Sequence, residues 1–389
     1  MVSAPISGSL PQLQVADTQR ALGRLGALNR QQFSGPLVAI TGSSGKTTVK
    51  NMVHAVLAQR GETLATEGNF NNEIGVPLTL LRLRPEHQFA VVELGAAKAG
   101  DIDWLCELAR PTVALLLNAM PAHLQGFGSV EGVAAAKGEI YDRLGATGTA
   151  IINADQPWAK QWRKRAAAAT VLDFGMQQPA AISARAVQSR GVDGVSFTVS
   201  TPAGEMVMRL RLPGVHNVAN ALAAVAVGLA CDMSLTEIRD GLESLQPVSG
   251  RLRSLRSPDG AVVVDDCYNA NPGSVRAAID LLASCPGRRT LVLGAMGELG
   301  ENSAALHLEM GAYARDAGID QLWGVGPELE GCVATFGAGG RYFENRAAIL
   351  DTLQGQFGDD DTVLIKGSRS AGMEQVLRAL LPDQPQGEH

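Results

Sequence analysis

Several features that would point to particular protein classes are missing from this 389-residue sequence. No apolar run approaches the roughly 20 residues that a membrane-spanning helix needs. The first residues have neither the positive region nor the continuous apolar core of a secretory signal. No block of lysines and arginines stands out, and the net charge is −6. We therefore expect a cytoplasmic protein that binds neither membranes nor nucleic acid.

Cysteine is scarce, since the five cysteines are widely spaced and include no C-x-x-C pair. This distribution disfavours both a disulfide framework and a zinc site, and it fits a reducing compartment. The chain is rich in apolar residues instead, with 46% hydrophobic and only 19% charged residues. That is enough material for two cores of roughly 150 to 200 residues each, so we expect two domains.

Short β-rich runs alternate with helix-length segments from residue 36 onward. Such alternation is typical of βαβ units and a mainly parallel sheet. Between residues 180 and 212 the pattern changes to two runs separated by the turn-rich TPAGE, which predicts an antiparallel hairpin added to the first sheet. The predicted parallel strands cover residues 37–41, 89–94, 112–118 and 149–153 and then, in the second half, 261–266, 289–294, 321–326 and 362–367.

Two helices are expected to close the first α/β unit. One covers the alanine-rich residues 216–230, and the next begins at Ser234, which can serve as an N-cap with Glu237 three positions later. The turn-rich residues 247–251 indicate a linker. We therefore predict a central domain over residues 33–246 and a smaller Rossmann-like α/β domain over residues 247–389.

A glycine-rich loop with the sequence TGSSGKTT, at residues 41–48, is the sharpest local signal. It lies between a predicted strand and a predicted helix, where backbone amides can surround a phosphate, Lys46 can neutralise phosphate charge and Thr47 can hold Mg²⁺. Ile40 stands where the ordinary P-loop has its first glycine. A tight turn with an exposed lysine is the alternative, but strand, loop and helix together favour nucleotide binding. The predicted contacts are Gly42, Ser43, Ser44, Gly45, Lys46, Thr47 and Thr48.

Three further residues could serve phosphoryl transfer, although each also has an ordinary explanation. Glu93 ends a predicted strand at the edge where open α/β sheets bind ligands, and it could hold a metal, but a solvated strand-end carboxylate is common. His123 follows the next predicted strand and is equally well explained as a packing residue. Lys137 lies in a predicted helix, and taken alone it is better interpreted as a surface lysine beside Glu139.

Besides the glycine-rich loop, the chain contains the motifs GNFNNEIGVPLTLL (68–81), VVELG (91–95), NAMPAHLQGFGS (118–129), AAAKGEIY (134–141), HNVANALAA (216–224), VSGRLR (248–253), DDCYNANPGS (265–274), LGAMGELG (293–300) and IKGSRSAGM (365–373). In their order and spacing, these motifs resemble those of the Mur ligases, and the likeness runs from about Val15 to Leu381. The resemblance implies a central ATPase domain of P-loop type, a Rossmann-like ligase domain, and a monomer that uses ATP and Mg²⁺. Among Mur ligases, the motifs most resemble those of members that join D-Ala-D-Ala to UDP-MurNAc-tripeptide in peptidoglycan synthesis.

The resemblance also implies roles for single residues. The catalytic residues would be Lys46, His123, Lys137 and Arg251, with Lys137 carrying an N-carboxyl group and Arg251 directed towards the γ-phosphate. The Mg²⁺ ligands would be Thr47, Glu93, His123 and Lys137. Besides the loop, the ATP contacts would be Asn217, Asn220, Arg251, Asp266 and Asn269, with Asp266 directed towards the ribose. Asn71 and Asn72 would face UDP-MurNAc-tripeptide, and Lys366, Ser368 and Arg369 would face D-Ala-D-Ala.

The chain departs from the Mur ligase pattern in three places. Ala295 stands where relatives usually have aspartate, and Val215 stands where arginine is common. Residues 14–30 resemble only the last strand and the exit helix of an N-terminal domain that binds the UDP end of the substrate in this family. We therefore interpret residues 1–32 as a remnant of that domain with its linker, and we expect weaker capture of the UDP-linked substrate at unchanged ATP affinity.

Two other functions remain open from the sequence. A folylpolyglutamate synthetase shares the phosphate loop and the two-domain plan and also forms an acyl phosphate, although the motifs GNFNNEIGVP and KGSRS argue against it. A nucleotide-binding protein without ligase turnover is the second alternative, because the expected N-terminal domain is incomplete.

Overall fold

The computed structural model of the chain describes residues 1–8, 10–121, 124–297, 299–353 and 355–381. Within these residues, no helix is long and apolar enough to cross a membrane. All five cysteines are buried and unpaired.

The first sheet has nine strands, and their order explains where a ligand can bind. In the described part of the chain they are β1 (Leu37–Thr41), β2 (Thr63–Ala65), β3 (Phe89–Glu93), β4 (Val113–Leu116), β5 (Thr149–Asn153), β6 (Thr170–Gly175), β7 (Ile182–Ser189), β8 (Val195–Thr201) and β9 (Gly204–Leu210). Their spatial order is β2-β3-β1-β4-β5-β6-β7-β8-β9. Because the chain continues from β3 on one side of β1 to β4 on the other, the carboxyl end of β1 lies at a topological switch point.

The strand directions confirm a mainly parallel sheet with an added hairpin. The strands from β2 to β7 pair in parallel, whereas β8 pairs antiparallel with both β7 and β9. Every residue of β1, β3 and β4 is buried, because helices cover both faces of the sheet, and this explains their continuous apolar sequences.

Helices form two layers around the first sheet. The helices of this half are α1 (Thr18–Arg30), α2 (Lys46–Leu57), α3 (Gly75–Leu81), α4 (Asp101–Ala109), α5 (Leu124–Phe127), α6 (Val130–Gly138), α7 (Ala159–Arg165), α8 (His216–Ala230) and α9 (Leu235–Glu243). The core on one face includes residues of α2, α8 and α9, and the core on the other includes residues of α1, α3, α4 and α6. At the start of α9, Ser234 and Glu237 form the predicted capping box.

Among the described residues, the second sheet has six strands and confirms the expected Rossmann-like arrangement. They are β10 (Arg253–Arg256), β11 (Val262–Asp266), β12 (Arg288–Gly294), β13 (Gln321–Val325), β14 (Gly340–Phe343) and β15 (Asp361–Lys366). The order is β10-β11-β15-β12-β13-β14, and all neighbours are parallel except β10 with β11. The helices around it are α10 (Pro272–Ala283), α11 (Ser303–Asp316), α12 (Glu330–Phe336), α13 (Arg346–Leu350) and α14 (Glu374–Leu380).

The sequence interpretation missed five strands, namely β2, β6, β7, β10 and β14. β2, β10 and β14 are only three or four residues long and lie at sheet edges. β7 is mostly exposed or partly exposed, so it lacks a clear apolar pattern.

Candidate active site

The glycine-rich loop connects β1 to α2, as the sequence predicts. α2 begins at Lys46, so Lys46, Thr47 and Thr48 occupy its first turn, where free amide groups favour an anion. Gly45 has a φ of +83°, a conformation that side chains with a Cβ rarely adopt. An added Cβ at Gly45 would also stand 2.9 Å from Oδ1 of Asn220. Glycine is therefore required at this position.

The loop is held in place by the segment that follows β4. The N–H of Ser44 donates to Oδ1 of Asn118 at 3.0 Å, and Nδ2 of Asn118 donates to the carbonyl of Ser44 at 3.1 Å. The hydroxyl of Ser43 donates to the carbonyl of Met120 at 3.1 Å and accepts the N–H of Met120 at 3.0 Å. The sequence interpretation assigned no role to Asn118, although its position after β4 places it at the carboxyl edge of the sheet.

Glu93 ends β3 beside this loop and is 2% exposed. Its carboxylate accepts a hydrogen bond from the Thr47 hydroxyl at 3.0 Å and another from Nδ2 of Asn71 at 2.8 Å. The N–H of Glu93 donates to Oγ1 of Thr66 at 3.0 Å. The alternative of a solvated strand-end carboxylate is therefore wrong, because this side chain is buried and directed at the phosphate loop.

Two lysines lie near the loop. Nζ of Lys46 donates to the carbonyl of Gly42 at 2.8 Å. Lys137, near the end of α6, is 2% exposed, and its ammonium lies 5.9 Å from the ring centroid of Phe127. Burial and, to a smaller extent, the nearby charge of Lys46 together lower the pKa of Lys137 to about 7. Interpreting Lys137 as a surface lysine beside Glu139 is therefore wrong.

The predicted ligand His123 lies outside the described residues. Among the residues that the structure does describe, no group of three or more His, Cys, Asp or Glu side chains could hold a metal ion. A Mg²⁺ ion bound with phosphate needs only one or two carboxylates from the protein, so this finding is compatible with Thr47 and Glu93 as ligands.

The predicted adenine-side residues lie at the start of α8. Nδ2 of Asn217 donates to the carbonyl of Pro213 at 2.7 Å, and Nδ2 of Asn220 donates to Oδ1 of Asn217 at 2.8 Å. His216 precedes Asn217 in the chain. Burial and, to a smaller extent, the charge of Lys366 together lower the pKa of the His216 imidazole to about 4. The side chain of His216 is therefore neutral at pH 7.

Residues at the edge of the second sheet and in the segments beside it line the same region. The guanidinium of Arg251 lies 4.1 Å from the ring centroid of Tyr268. Asp266, at the end of β11, forms an ion pair with Lys366 at the end of β15, and Nζ of Lys366 also donates to the carbonyl of Asn269 at 2.9 Å. Burial raises the pKa of Asp266, while the charge of Lys366 opposes that change.

The three residues predicted to face D-Ala-D-Ala have different surroundings. Lys366 lies beside Asp266, whereas Ser368 is buried and its N–H donates to the carbonyl of Ala295 at 2.8 Å. Arg369 is largely exposed, with Nη1 3.9 Å from a carboxylate oxygen of Glu374.

A single cleft of about 1020 Å³ brings most of the predicted site together. Its walls come from the carboxyl edges of both sheets and from the segment between them. Ser368 and Arg369 are not among the described residues that line it. The predicted residues in its lining are Gly42, Ser43, Ser44, Gly45, Lys46, Thr47, Thr48, Asn71, Asn72, Glu93, Lys137, Asn217, Asn220, Arg251, Asp266, Asn269 and Lys366.

Family models and known relatives match both halves of the chain. The Mur ligase middle domain matches residues 40–228, and the glutamate ligase domain of Mur ligases matches residues 250–369. The UDP-N-acetylmuramoyl-tripeptide--D-alanyl-D-alanine ligase of Escherichia coli (strain K12) is 46% identical over 384 residues, covering 98% of this chain and 84% of the relative. The chain belongs to the Mur ligase family.

Solved structures of other Mur ligases have the same fold as this one. MurF from Acinetobacter baumannii superposes with a TM-score of 0.92 at 37% identity, covering 98% of this Mur ligase and 84% of that chain. The MurF ligase from Thermotoga maritima in complex with ADP gives a TM-score of 0.86 at 28% identity, with coverages of 97% and 87%. These findings confirm the resemblance and the fold class inferred from the sequence.

Proposed function

We propose that this Mur ligase uses ATP to join D-Ala-D-Ala to UDP-MurNAc-tripeptide, a step in the synthesis of peptidoglycan precursors. One observation carries the proposal: the phosphate loop of the first sheet and Arg251, Asp266 and Asn269 of the second half line the same cleft. The 46% identity to a UDP-N-acetylmuramoyl-tripeptide--D-alanyl-D-alanine ligase supports this choice of substrates. We further propose that the protein works as a monomer in the cytoplasm.

The chemistry requires activation of a carboxylate. A carboxylate is a poor acylating group because its leaving group would be oxide, whereas an acyl phosphate loses phosphate. The γ-phosphoryl group of ATP would therefore pass to the terminal carboxylate of the tripeptide, and the amine of D-Ala-D-Ala would then displace phosphate. The protein would contribute mainly positioning and charge neutralisation, with Lys46 and Arg251 facing the phosphates.

The residues beside the phosphate loop fit a Mg²⁺ ion. The Thr47 hydroxyl and a carboxylate oxygen of Glu93 are 3.0 Å apart, and both are oxygen ligands of the kind that Mg²⁺ binds together with phosphate and water. Bound Mg²⁺ would screen the negative charge of the phosphate oxygens. Asn71 would hold the other oxygen of Glu93 and thereby fix the orientation of the carboxylate.

The side chain of Lys137 could bind a metal ion only after it is N-carboxylated. As an ammonium it would repel Mg²⁺, and it already lies near the charge of Lys46. An N-carboxyl group would replace this buried cation with an anion. A pKa of about 7 supports the modification, because a substantial neutral fraction of the amine can then react with carbon dioxide at neutral pH. We propose this carboxylated form as the active one, with His123 as a further metal ligand.

The remaining assignments are also proposals. The adenine would lie near Asn217, Asn220 and Asn269, and the ribose near Asp266. Asn71 and Asn72 would face the UDP-linked peptide, and Lys366, Ser368 and Arg369 would face the incoming dipeptide. The domain bounds that we propose are residues 1–32, 33–246 and 247–389.

Phosphate release on addition of ATP, UDP-MurNAc-tripeptide and D-Ala-D-Ala tests the proposal. We expect release only when all three are present, together with formation of the UDP-linked pentapeptide, measured by mass spectrometry. Release with a folate substrate and glutamate instead would support the folylpolyglutamate alternative. Nucleotide binding without release under any of these conditions would support a binding protein. A Lys46→Met sample serves as the control for contaminating ATPases.

A further inference from the structure

The segment between the two sheets is hydrogen-bonded to the second sheet immediately before Arg251. The N–H of Gly250 donates to Oδ2 of Asp265 at 2.6 Å, and the hydroxyl of Ser249 donates to the same oxygen at 3.3 Å. The N–H of Tyr268 donates to the carbonyl of Gly250 at 3.1 Å. Both polar groups of the Gly250 backbone are therefore bonded to residues at the end of β11 or just beyond it.

Asp265 is suited to hold this segment because its own position is fixed. It is 2% exposed, it lies in β11 opposite Arg253 of β10, and its Oδ1 accepts the N–H of Cys267 at 3.2 Å. Hydrogen bonds to a carboxylate are shorter and stronger than those between neutral groups. The neighbouring Asp266 has a different arrangement, since its carboxylate forms an ion pair with Lys366 in the cleft.

The residue after Arg251 is also fixed to the second half of the molecule. Leu252 is buried in the core that contains Val264 of β11 and Val275 of α10. Its φ of +56° is unusual for a leucine, so surrounding packing must maintain the turn. Arg251 therefore lies between two anchored residues, and its guanidinium lies over the Tyr268 ring.

We propose that Asp265 is a positioning residue that fixes the linker to the end of β11, so that Arg251 is carried by the second sheet and presented to the terminal phosphate of ATP. This inference rests on the function proposed above for Arg251. Asp265 itself does not line the cleft. Its effect on the reaction is therefore transmitted through the backbone of Gly250 and the placement of one guanidinium.

Calorimetric titration with ATP and with ADP tests the inference without requiring turnover. If Arg251 contacts the terminal phosphate, Arg251→Ala should reduce the preference for ATP over ADP by about tenfold, as expected for loss of a charged hydrogen bond. Asp265→Asn should reduce the same preference by about fivefold and leave ADP affinity within about twofold of wild type. Asparagine keeps the size of the side chain but cannot accept all three donors.

The double variant Asp265→Asn/Arg251→Ala distinguishes positioning from general destabilisation. We expect it to be within about twofold of Arg251→Ala in ATP preference, and also in kcat where turnover is measured, because Asp265 acts through Arg251. The matched control is Asp361→Asn, which removes a buried carboxylate of β15 that pairs with Arg288. Any effect of Asp361→Asn should be the same with and without Arg251, and this variant should leave the preference for ATP over ADP unchanged.

Either of two results would overturn the inference: an unchanged ATP preference in Asp265→Asn, or an equal effect of this change with and without Arg251. If Asp265→Asn does not fold, Ser249→Ala decides, because it removes only the longer of the two linker bonds. A loss of about twofold that disappears in the Arg251→Ala background supports positioning, whereas no loss, or an equal loss in both backgrounds, contradicts it. Absence of turnover in the wild type would instead refute the proposed function, and the titrations would still decide the role of Asp265.

Discussion

Replacement of Lys137 by methionine should stabilise the fold while it removes activity. Lys137 is 2% exposed, and burial, together with the charge of Lys46, lowers its pKa from 10.5 to about 7. Methionine has a similar length and no charge, so Lys137→Met removes a group whose charged form is unfavourable in this position. The free energy of unfolding should therefore rise, and the amount should depend on pH.

The direction in which stability changes with pH follows from the number of protons that the folded and unfolded chains bind. Between pH 7 and 10.5 the unfolded wild-type chain binds more protons at Lys137 than the folded chain, so wild-type stability rises with pH across this window. Below about pH 7 both states are protonated, and the folded state carries the whole penalty, which is roughly 5 kcal/mol at 1.36 kcal/mol per pH unit. The advantage of the methionine variant should thus be roughly 5 kcal/mol at pH 6, roughly 2 kcal/mol at pH 9 and close to zero above pH 10.5.

This difference in stability can be measured by denaturant unfolding, followed by circular dichroism. The buffers must be free of carbon dioxide, so that Lys137 of the wild type stays unmodified. In bicarbonate, wild-type turnover should rise as carbamate forms, whereas the methionine variant should show no turnover at any bicarbonate concentration. Added short-chain carboxylates should partly restore turnover in Lys137→Ala, which leaves space for them.

Lys160→Met is the matched control, since Lys160 is an exposed lysine of α7. It should change neither the pH dependence of unfolding nor the turnover. A stability difference between wild type and Lys137→Met that stays constant from pH 6.5 to 9.5 would refute the reasoning about the buried ammonium. Full ligase activity of Lys137→Met would refute its proposed role at the metal site.

Three further predictions concern the phosphate loop and the fold. Lys46→Met should reduce turnover at least about 100-fold, because phosphate charge is no longer neutralised, and it should shift the unfolding temperature only slightly. Activity within tenfold of wild type in a phosphate-release assay would contradict this prediction. Asn118→Ala should weaken ATP binding about tenfold in calorimetry, because the Ser44 backbone loses both of its hydrogen bonds to the Asn118 side chain. Unchanged ATP affinity would show that the loop does not need these two bonds. Ser234→Ala should cost about 1 kcal/mol of stability by removing the cap of α9, measured by denaturant unfolding, with turnover unchanged; lost turnover would show that α9 also affects the site.

The phosphate loop and the strands around it were predictable from the sequence. β1 and β5 have the predicted bounds, and α8 covers the predicted residues 216–230. The signals for these elements are local: buried parallel strands have continuous apolar residues, and the loop has glycine where its backbone requires a positive φ. Short edge strands such as β2 and β14 have too few residues to produce a pattern.

Burial of the catalytic candidates was not predictable in the same way. Taken alone, the sequence around Lys137 fits a surface lysine, and the sequence around Glu93 fits a solvated carboxylate. Their burial comes from residues distant in the chain, since Glu93 meets Asn71, 22 positions away, and Thr47, 46 positions away. The likeness of the motifs to the Mur ligases indicated the correct region without giving these contacts.

The sequence by itself determined the α/β units, the phosphate loop and membership of the Mur ligase family, because periodicity and short motifs are encoded within segments of about ten residues. Only the tertiary structure decided which side chains meet in the cleft, how far burial lowers the pKa of Lys137, and that Asp265 holds the linker beside Arg251. The physical reason is that desolvation and hydrogen-bond geometry depend on atoms brought together by the two sheets, and the spacing of residues along the chain contains no measure of either.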